Sequence, residues 1–170
     1  HFGPFLLTGL LLPGLVASGH GRVVTLTSAM HRAPVRAPLR PPTQPPRFYE
    51  PWLIYGETKL ANLLFTYDLD RPLRAAGLSV TALAAHQGIA HTHIVANGPR
   101  LGPFQALGDW GFGLLAQPTE HAVWPTLMAA TADLPGGTFV GPSRRLGFAG
   151  PPHVARPRRL ARSEKAQRQL

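Results

Sequence analysis

Cysteine is absent from the 170 residues, which removes disulfide frameworks, thiolate catalysis and Cys-ligated zinc together. Any chemistry must therefore use oxygen and nitrogen groups. Lysine is nearly absent too, with Lys59 and Lys165 the only two, and there are three tyrosines. Acidic residues number 8 against 17 Lys plus Arg, a formal charge of +9. A balance of that sign raises the question of phosphate-bearing partners, since Arg clusters displace counterions from nucleic acids. However, 15 of the 17 basic residues are Arg, and Ala, Gly and Pro are abundant as well, as GC-rich coding produces without any ligand. Eleven of the 15 arginines fall in two irregular stretches, Arg32 to Arg47 and Arg144 to Arg168, without the regular aromatic interleaving that stacks bases. Trp52, Trp110 and Trp124 are expected to be packing residues, and no nucleic-acid partner is expected. Long hydrophobic runs are also lacking. The best candidate, Phe2 to Ala17, has no preceding basic region, is shorter than a bilayer requires and contains Gly3, Pro4, Gly9, Pro13 and Gly14. A buried amphipathic helix, no membrane span and a cytoplasmic setting are the expectations.

The apolar content of 44% is that of an ordinary globular domain, and the length suits one core. Phe2, Phe5, Leu6, Leu10, Leu11 and Leu15 recur at helical spacing until the turn Ser18-Gly19-His20-Gly21. RVVTLTS, residues 22 to 28, is β-branched and bounded by turn residues, which predicts a buried strand ending at Ser28. Residues 29 to 50 are proline-rich and without period, so a loop is expected. Helical spacing returns from Trp52 to Ala76, with Leu60, Leu63, Leu64, Tyr67 and Leu73 on the buried face. LSVTALAAH, residues 78 to 86, predicts a second buried strand, Pro118 to Thr131 a third helix, and Thr138 to Val140 a short third strand. The order alternates helix and strand with connections long enough for parallel pairing, so the expected class is α/β. Residues 143 to 170 are expected to form a basic tail, partly helical.

In YGETK, Tyr55 and Lys59 stand four residues apart on a helix, so both side chains leave one face about a turn apart. A phenol exchanges protons poorly at neutral pH unless a nearby cation favours the phenolate, and Lys59 can supply that cation. A hydroxyl such as Ser28 can hydrogen-bond the oxygen of a carbonyl or alcohol while its charge changes. Open parallel sheets present ligands at the carboxyl ends of their strands, and Ser28 closes one. Without that chemistry, Tyr55 and Lys59 are surface residues of an amphipathic helix and Ser28 merely ends a strand.

GRVVTLTSAMHR, then PWLIYGETKLANLLFTYDLDRPLRAAG, then VTALAAHQGIAHT together resemble the short-chain dehydrogenase/reductase family, in its retinol-dehydrogenase-like and protochlorophyllide-reductase-like branch. The resemblance implies the last three strands of a doubly wound fold, that is, a partial Rossmann-like parallel sheet with flanking helices over residues 1 to 142. It implies catalytic Ser28, Tyr55 and Lys59, with Tyr55 as general acid/base. It also implies NAD or NADP held by Tyr55, Lys59, Gly88 and Thr92, and a small carbonyl or alcohol substrate. Gln87 stands where the family usually has proline, which should loosen the loop over the cofactor. The helices at 2 to 17 and 52 to 76 correspond to those that commonly join subunits, so a homo-oligomer through them is expected.

The family's glycine-rich phosphate loop has no counterpart in these 170 residues, and its catalytic asparagine would lie just before His1. The chain, opening on His1, is therefore expected to be part of a longer product. The competing reading is an inactive fragment or relative that lacks cofactor binding and at most self-associates. His86, His91 and His93 offer a His-x-His pair, but no carboxylate lies nearby in sequence to complete a site, so no metal is expected.

Overall fold

The structure, a computed structural model, describes residues 2–34, 49–90, 113 and 116–168. After helix α1 (Phe2–Ala17) comes strand β1 (Gly21–Thr27), which ends in a 3-10 turn at Ala29–Arg32. Helix α2 (Pro51–Ala75) leads to β2 (Val80–His86). Two short helices, α3 (Thr119–Ala122) and α4 (Trp124–Thr131), precede β3 (Phe139–Arg144) and β4 (Ala149–Val154), and α5 (Glu164–Gln167) closes the described chain.

The strands lie in the order β1-β2-β3-β4; the first two pairings are parallel and the last is antiparallel. In β1 and β2 the register runs from Gly21 opposite Val80 to Thr27 opposite His86, so both strands deliver their carboxyl ends to one edge. The fourth strand was not expected from the sequence, where AGPPHV reads as tail. It has no alternating apolar pattern and carries two prolines, which an edge strand tolerates because only one of its sides needs backbone donors. With β4 in place, the anticipated three strands become four within the expected α/β class.

Helix cover lies on both faces of the sheet. Leu60, Leu63 and Leu64 of α2 pack with Ala84, Phe139, Ala155 and Ala161 on one face. On the other, Leu83, Ala85 and Val140 meet Ala129 of α4, with Val24, Met128 and Leu134 at the margin. Arg22 crosses the second face and donates to the carbonyls of Ala129 and Ala132, 3.1 and 2.7 Å away, satisfying acceptors that the end of α4 leaves free. The predicted third helix is broken in two around Val123, where Pro125 in the first turn of α4 has no amide to continue α3.

Helix α2 begins where its sequence says it should: the Glu50 carboxylate accepts from Leu53 N at 2.6 Å and Pro51 fills the first turn. Its apolar stripe is buried as predicted, with Tyr67 half-buried at the margin. Helix α1 departs from expectation. It forms over the predicted residues but buries none of them, and Phe2, Phe5, Leu6, Leu7, Leu10 and Leu11 are 53% to 71% exposed. Leu12, Leu15 and Val16 touch the core beside Val80 and Leu73, and the Phe5 ring tilts onto buried Phe65 at 5.4 Å. The physical reason is in the sequence: FGPFLLTGLLLPGLVA has no charged position, so it is apolar all round, and one sheet can cover only one side of it.

Candidate active site

Ser28, Tyr55 and Lys59 are gathered at the carboxyl edge of the sheet by contacts between β1, the turn after it and the first turns of α2. Thr27 Oγ1 donates to the Lys59 carbonyl at 2.8 Å, and Asn62 Nδ2 donates to the Leu26 carbonyl at 2.9 Å. These two bonds fix the axial position of α2 against the end of β1. Gly56 sets how closely they approach: a Cβ there would stand 2.8 Å from the Met30 carbonyl oxygen and 3.3 Å from Ala33 and Pro34. A glycine inside a helix costs roughly 1 kcal/mol against alanine; at this position it permits backbone contact between the tyrosine-bearing turn and the serine-bearing one.

Ser28 caps the 3-10 turn, with its Oγ accepting from Met30 N at 3.3 Å. That bond uses a lone pair and leaves the hydroxyl hydrogen available to donate. Tyr55 and Lys59 are both half-buried. The Lys59 ammonium lies 5.3 Å from the Tyr55 ring centroid, within cation-π range, and Trp52 meets the Tyr55 ring edge-on at 6.2 Å. Burial lowers the pKa of Lys59. Among the described residues it forms no ion pair, so its donors remain for the phenol or for a ligand.

Gly88 follows β2 at the same edge. Its φ of +70° is in the left-handed region, and a Cβ would stand 2.2 Å from the Phe148 carbonyl oxygen, so only glycine fits. Where Gln87 replaces the family's proline, residues 87–90 are bonded to neighbouring segments. Ile89 N donates to Phe148 O and Gln117 N to Ile89 O, both at 2.8 Å, and the buried Gln117 side chain donates to Gln87 O at 3.0 Å while accepting from Gly150 N at 2.9 Å. The turn is fastened to the β3–β4 connection instead of being stiffened by a ring. Thr92 lies outside the described residues, as do His91, His93 and Trp110.

His86 is a core residue, its imidazole stacked on Phe139 at 5.3 Å. Gly141 makes space for it, since a Cβ there would stand 2.1 Å from Nε2. Burial, with smaller repulsions from His31, Arg32 and His153, lowers its pKa to about 4. Among the described residues no group of three His, Asp or Glu side chains is placed to hold a metal ion. A cavity of about 300 Å³ lies toward the opposite end of the sheet, between the last turns of α2 and the turn before β3. Two of its arginines, Arg71 and Arg74, are engaged by Asp68, Glu164 and Asp70, and none of the three catalytic candidates lines it.

Sequence reasoning missed His31, Asn62, Gly56 and Arg158 in this neighbourhood. Asn62 and Gly56 carried a signal, each being an unusual residue on the buried, apolar face of an amphipathic helix. Arg158 carried none, because its partners are 124 to 127 residues away.

The chain is 34% identical over 142 residues to human retinol dehydrogenase 13, covering 78% of this chain and 40% of that protein. It is 36% identical over 144 residues to human polyprenol dehydrogenase, covering 80% of this chain and 42% of that protein. Mouse retinol dehydrogenase 12 is 42% identical over 97 residues, 57% of this chain and 29% of that protein. The chain thus spans about two fifths of the length of the first two relatives. A crystal structure of an uncharacterized protein from Mycobacterium Paratuberculosis superposes with a TM-score of 0.63 at 35% identity, over 99% of this chain and 53% of the other. No protein-family model matches.

Proposed function

The chain belongs to the short-chain dehydrogenase/reductase family, among its retinol-dehydrogenase-like members, and we propose that it carries the catalytic residues for reduction of a carbonyl, or oxidation of an alcohol, with NAD or NADP. What supports this reading is the junction of β1, its 3-10 turn and α2 at the carboxyl edge of a parallel sheet, where Thr27 bonds to the Lys59 carbonyl, Gly56 abuts the turn that begins at Ser28, and the Lys59 ammonium lies against the Tyr55 ring.

A bound nicotinamide would supply or accept the hydride. Tyr55 holds the proton that the substrate oxygen gains on reduction or gives up on oxidation. Lys59, partly desolvated and free of carboxylates among the described residues, lies against the Tyr55 ring and offers N–H donors to ribose hydroxyls. The Ser28 hydroxyl donates to the same substrate oxygen and steadies its charge. The residues present fit the nicotinamide end of such a cofactor: an ammonium that forms no ion pair among the described residues, and a backbone turn at Gly88 that follows β2 at the same sheet edge. They do not fit its pyrophosphate end, because the sequence has no glycine-rich turn between a strand and a helix.

The relatives point to an isoprenoid-type aldehyde or alcohol as substrate, since two are named for retinol and one for polyprenol. The protein supplied with NADPH or NADH and all-trans-retinal should consume reduced nicotinamide. A small water-soluble aldehyde should compete poorly. Consumption that is absent with both aldehydes and both cofactors favours the inactive relative.

A further inference from the structure

The turn that carries Ser28 is held from the far end of the chain. The Ser28 carbonyl accepts from His31 N at 3.0 Å and lies 2.7 Å from His31 Nδ1, which puts the ring proton on Nδ1 and leaves Nε2 as an acceptor. Nε2 in turn takes the Arg158 N–H at 3.4 Å, across a separation of 127 residues. The Arg158 guanidinium continues past the ring and donates to the carbonyls of Arg32 and Pro34, both at 2.5 Å. Arg32 reciprocates with a bond to the Arg156 carbonyl at 3.1 Å. The segment after β4 is itself anchored to the sheet, Ala155 N donating to Phe139 O at 2.8 Å, and Phe139 is the residue against which the His31 ring packs edge-on at 5.4 Å. Residues 28–34 therefore lie between two supports: Gly56 of the tyrosine-bearing helix on one side, and residues 155–158 on the other.

We propose that His31 and Arg158 are positioning residues that lock the 28–34 turn so that the Ser28 hydroxyl is held toward the site formed with Tyr55 and Lys59. The proposal rests on the reading of Ser28 as the substrate-oxygen clamp, and it gives a function to two residues outside the Ser-Tyr-Lys set. His31 is suited to the part because it is 1% exposed and neutral. Burial, with Arg32 and Arg158 beside it, keeps its pKa at about 4, so Nε2 stays an acceptor through the neutral range. Another titratable group close enough to interact with it is His86, which packs on the same Phe139 ring.

The test compares Arg158→Ala, Arg158→Lys and His31→Phe in the full 170-residue chain. Arg158 is half-buried and its side-chain bonds reach two carbonyls, so the alanine variant keeps the core intact even if His31→Phe folds poorly. The first readout is the Ser28 χ1 rotamer from three-bond NMR couplings, which needs no turnover. The wild type and Arg158→Lys should show one rotamer and Arg158→Ala an average. The second readout is the separation of kcat from KM: Arg158→Ala should lower kcat about tenfold with KM for the nicotinamide unchanged, and lysine should restore most of it. A single, unaltered Ser28 rotamer in Arg158→Ala overturns the proposal, as does a kcat loss that lysine does not relieve. If the wild type turns nothing over, the oxidoreductase reading fails separately and the rotamer measurement still decides the positioning claim.

Discussion

His31 and His86 both pack on Phe139, both nearly inaccessible and both with pKa values lowered to about 4, chiefly by burial. In the unfolded chain each returns to about 6.5. Between those values the unfolded state binds more protons than the folded one, so stability rises with pH across the window, is complete above it and is lost as pH falls toward 4. For His31 the effect is on the order of 3 kcal/mol. Urea midpoints should therefore drop steeply from pH 7 to pH 5, and His31→Gln should flatten that drop; a midpoint independent of pH in this range contradicts the assignment of neutral, buried imidazoles. At this scale the sequence was informative about Ser28, Tyr55 and Lys59, whose types and order carry a chemical meaning. It was silent about His31, which looks like one more polar residue in a loop until Phe139 and Arg158 close over it from more than 100 positions away.

Helix α2 does most to build the site. Its boundaries were legible because Glu50 and Pro51 start it and Gly77 follows its end, and its buried face was legible from the spacing of Leu60, Leu63, Leu64 and Leu73. How closely it approaches the turn after β1 was not, since that depends on Gly56 meeting the Met30 carbonyl. Gly56→Ala should gain helix propensity but collide with backbone that cannot rotate away. We expect a net loss of about 1–2 kcal/mol, because overpacking outweighs the propensity gain. Turnover should fall further than stability does, as the Ser28 turn is pushed from Tyr55. A variant of unchanged or raised urea midpoint and full turnover shows that the contact is not needed. Strand β4 illustrates the opposite difficulty: AGPPHV has neither alternation nor β-branched density, and only pairing with β3 makes it a strand. Between Pro142 and Arg144 the register shifts by one residue, β4 advancing three positions while β3 advances two.

For the whole molecule, the α/β layering followed from the alternation of elements, while the exposure of α1 did not. A periodic apolar pattern predicts burial only if some surface exists to bury it, and the described residues offer one side of one helix that surface. Among them no helix is long and apolar enough to cross a membrane. An uncharged helix with six large apolar side chains in contact with water should drive self-association. Light scattering across a concentration series should show oligomers that Leu6→Glu with Leu10→Glu disperses, without a change in the urea midpoint of the core. A monomer at all concentrations contradicts it. The parallel pairing of β1 with β2 is the frame that brings Ser28 to the edge where α2 presents Tyr55 and Lys59.

The central claim is that Tyr55 exchanges the proton of a nicotinamide-dependent reaction at that edge, and it is tested most directly by Tyr55→Phe. The variant keeps the ring beside Trp52 and under the Lys59 ammonium and loses only the hydroxyl. Reduced-nicotinamide oxidation with retinal should fall by at least about 100-fold, the scale of a lost general acid, while cofactor binding followed by nicotinamide fluorescence stays the same. Equal turnover in wild type and Tyr55→Phe would contradict the account.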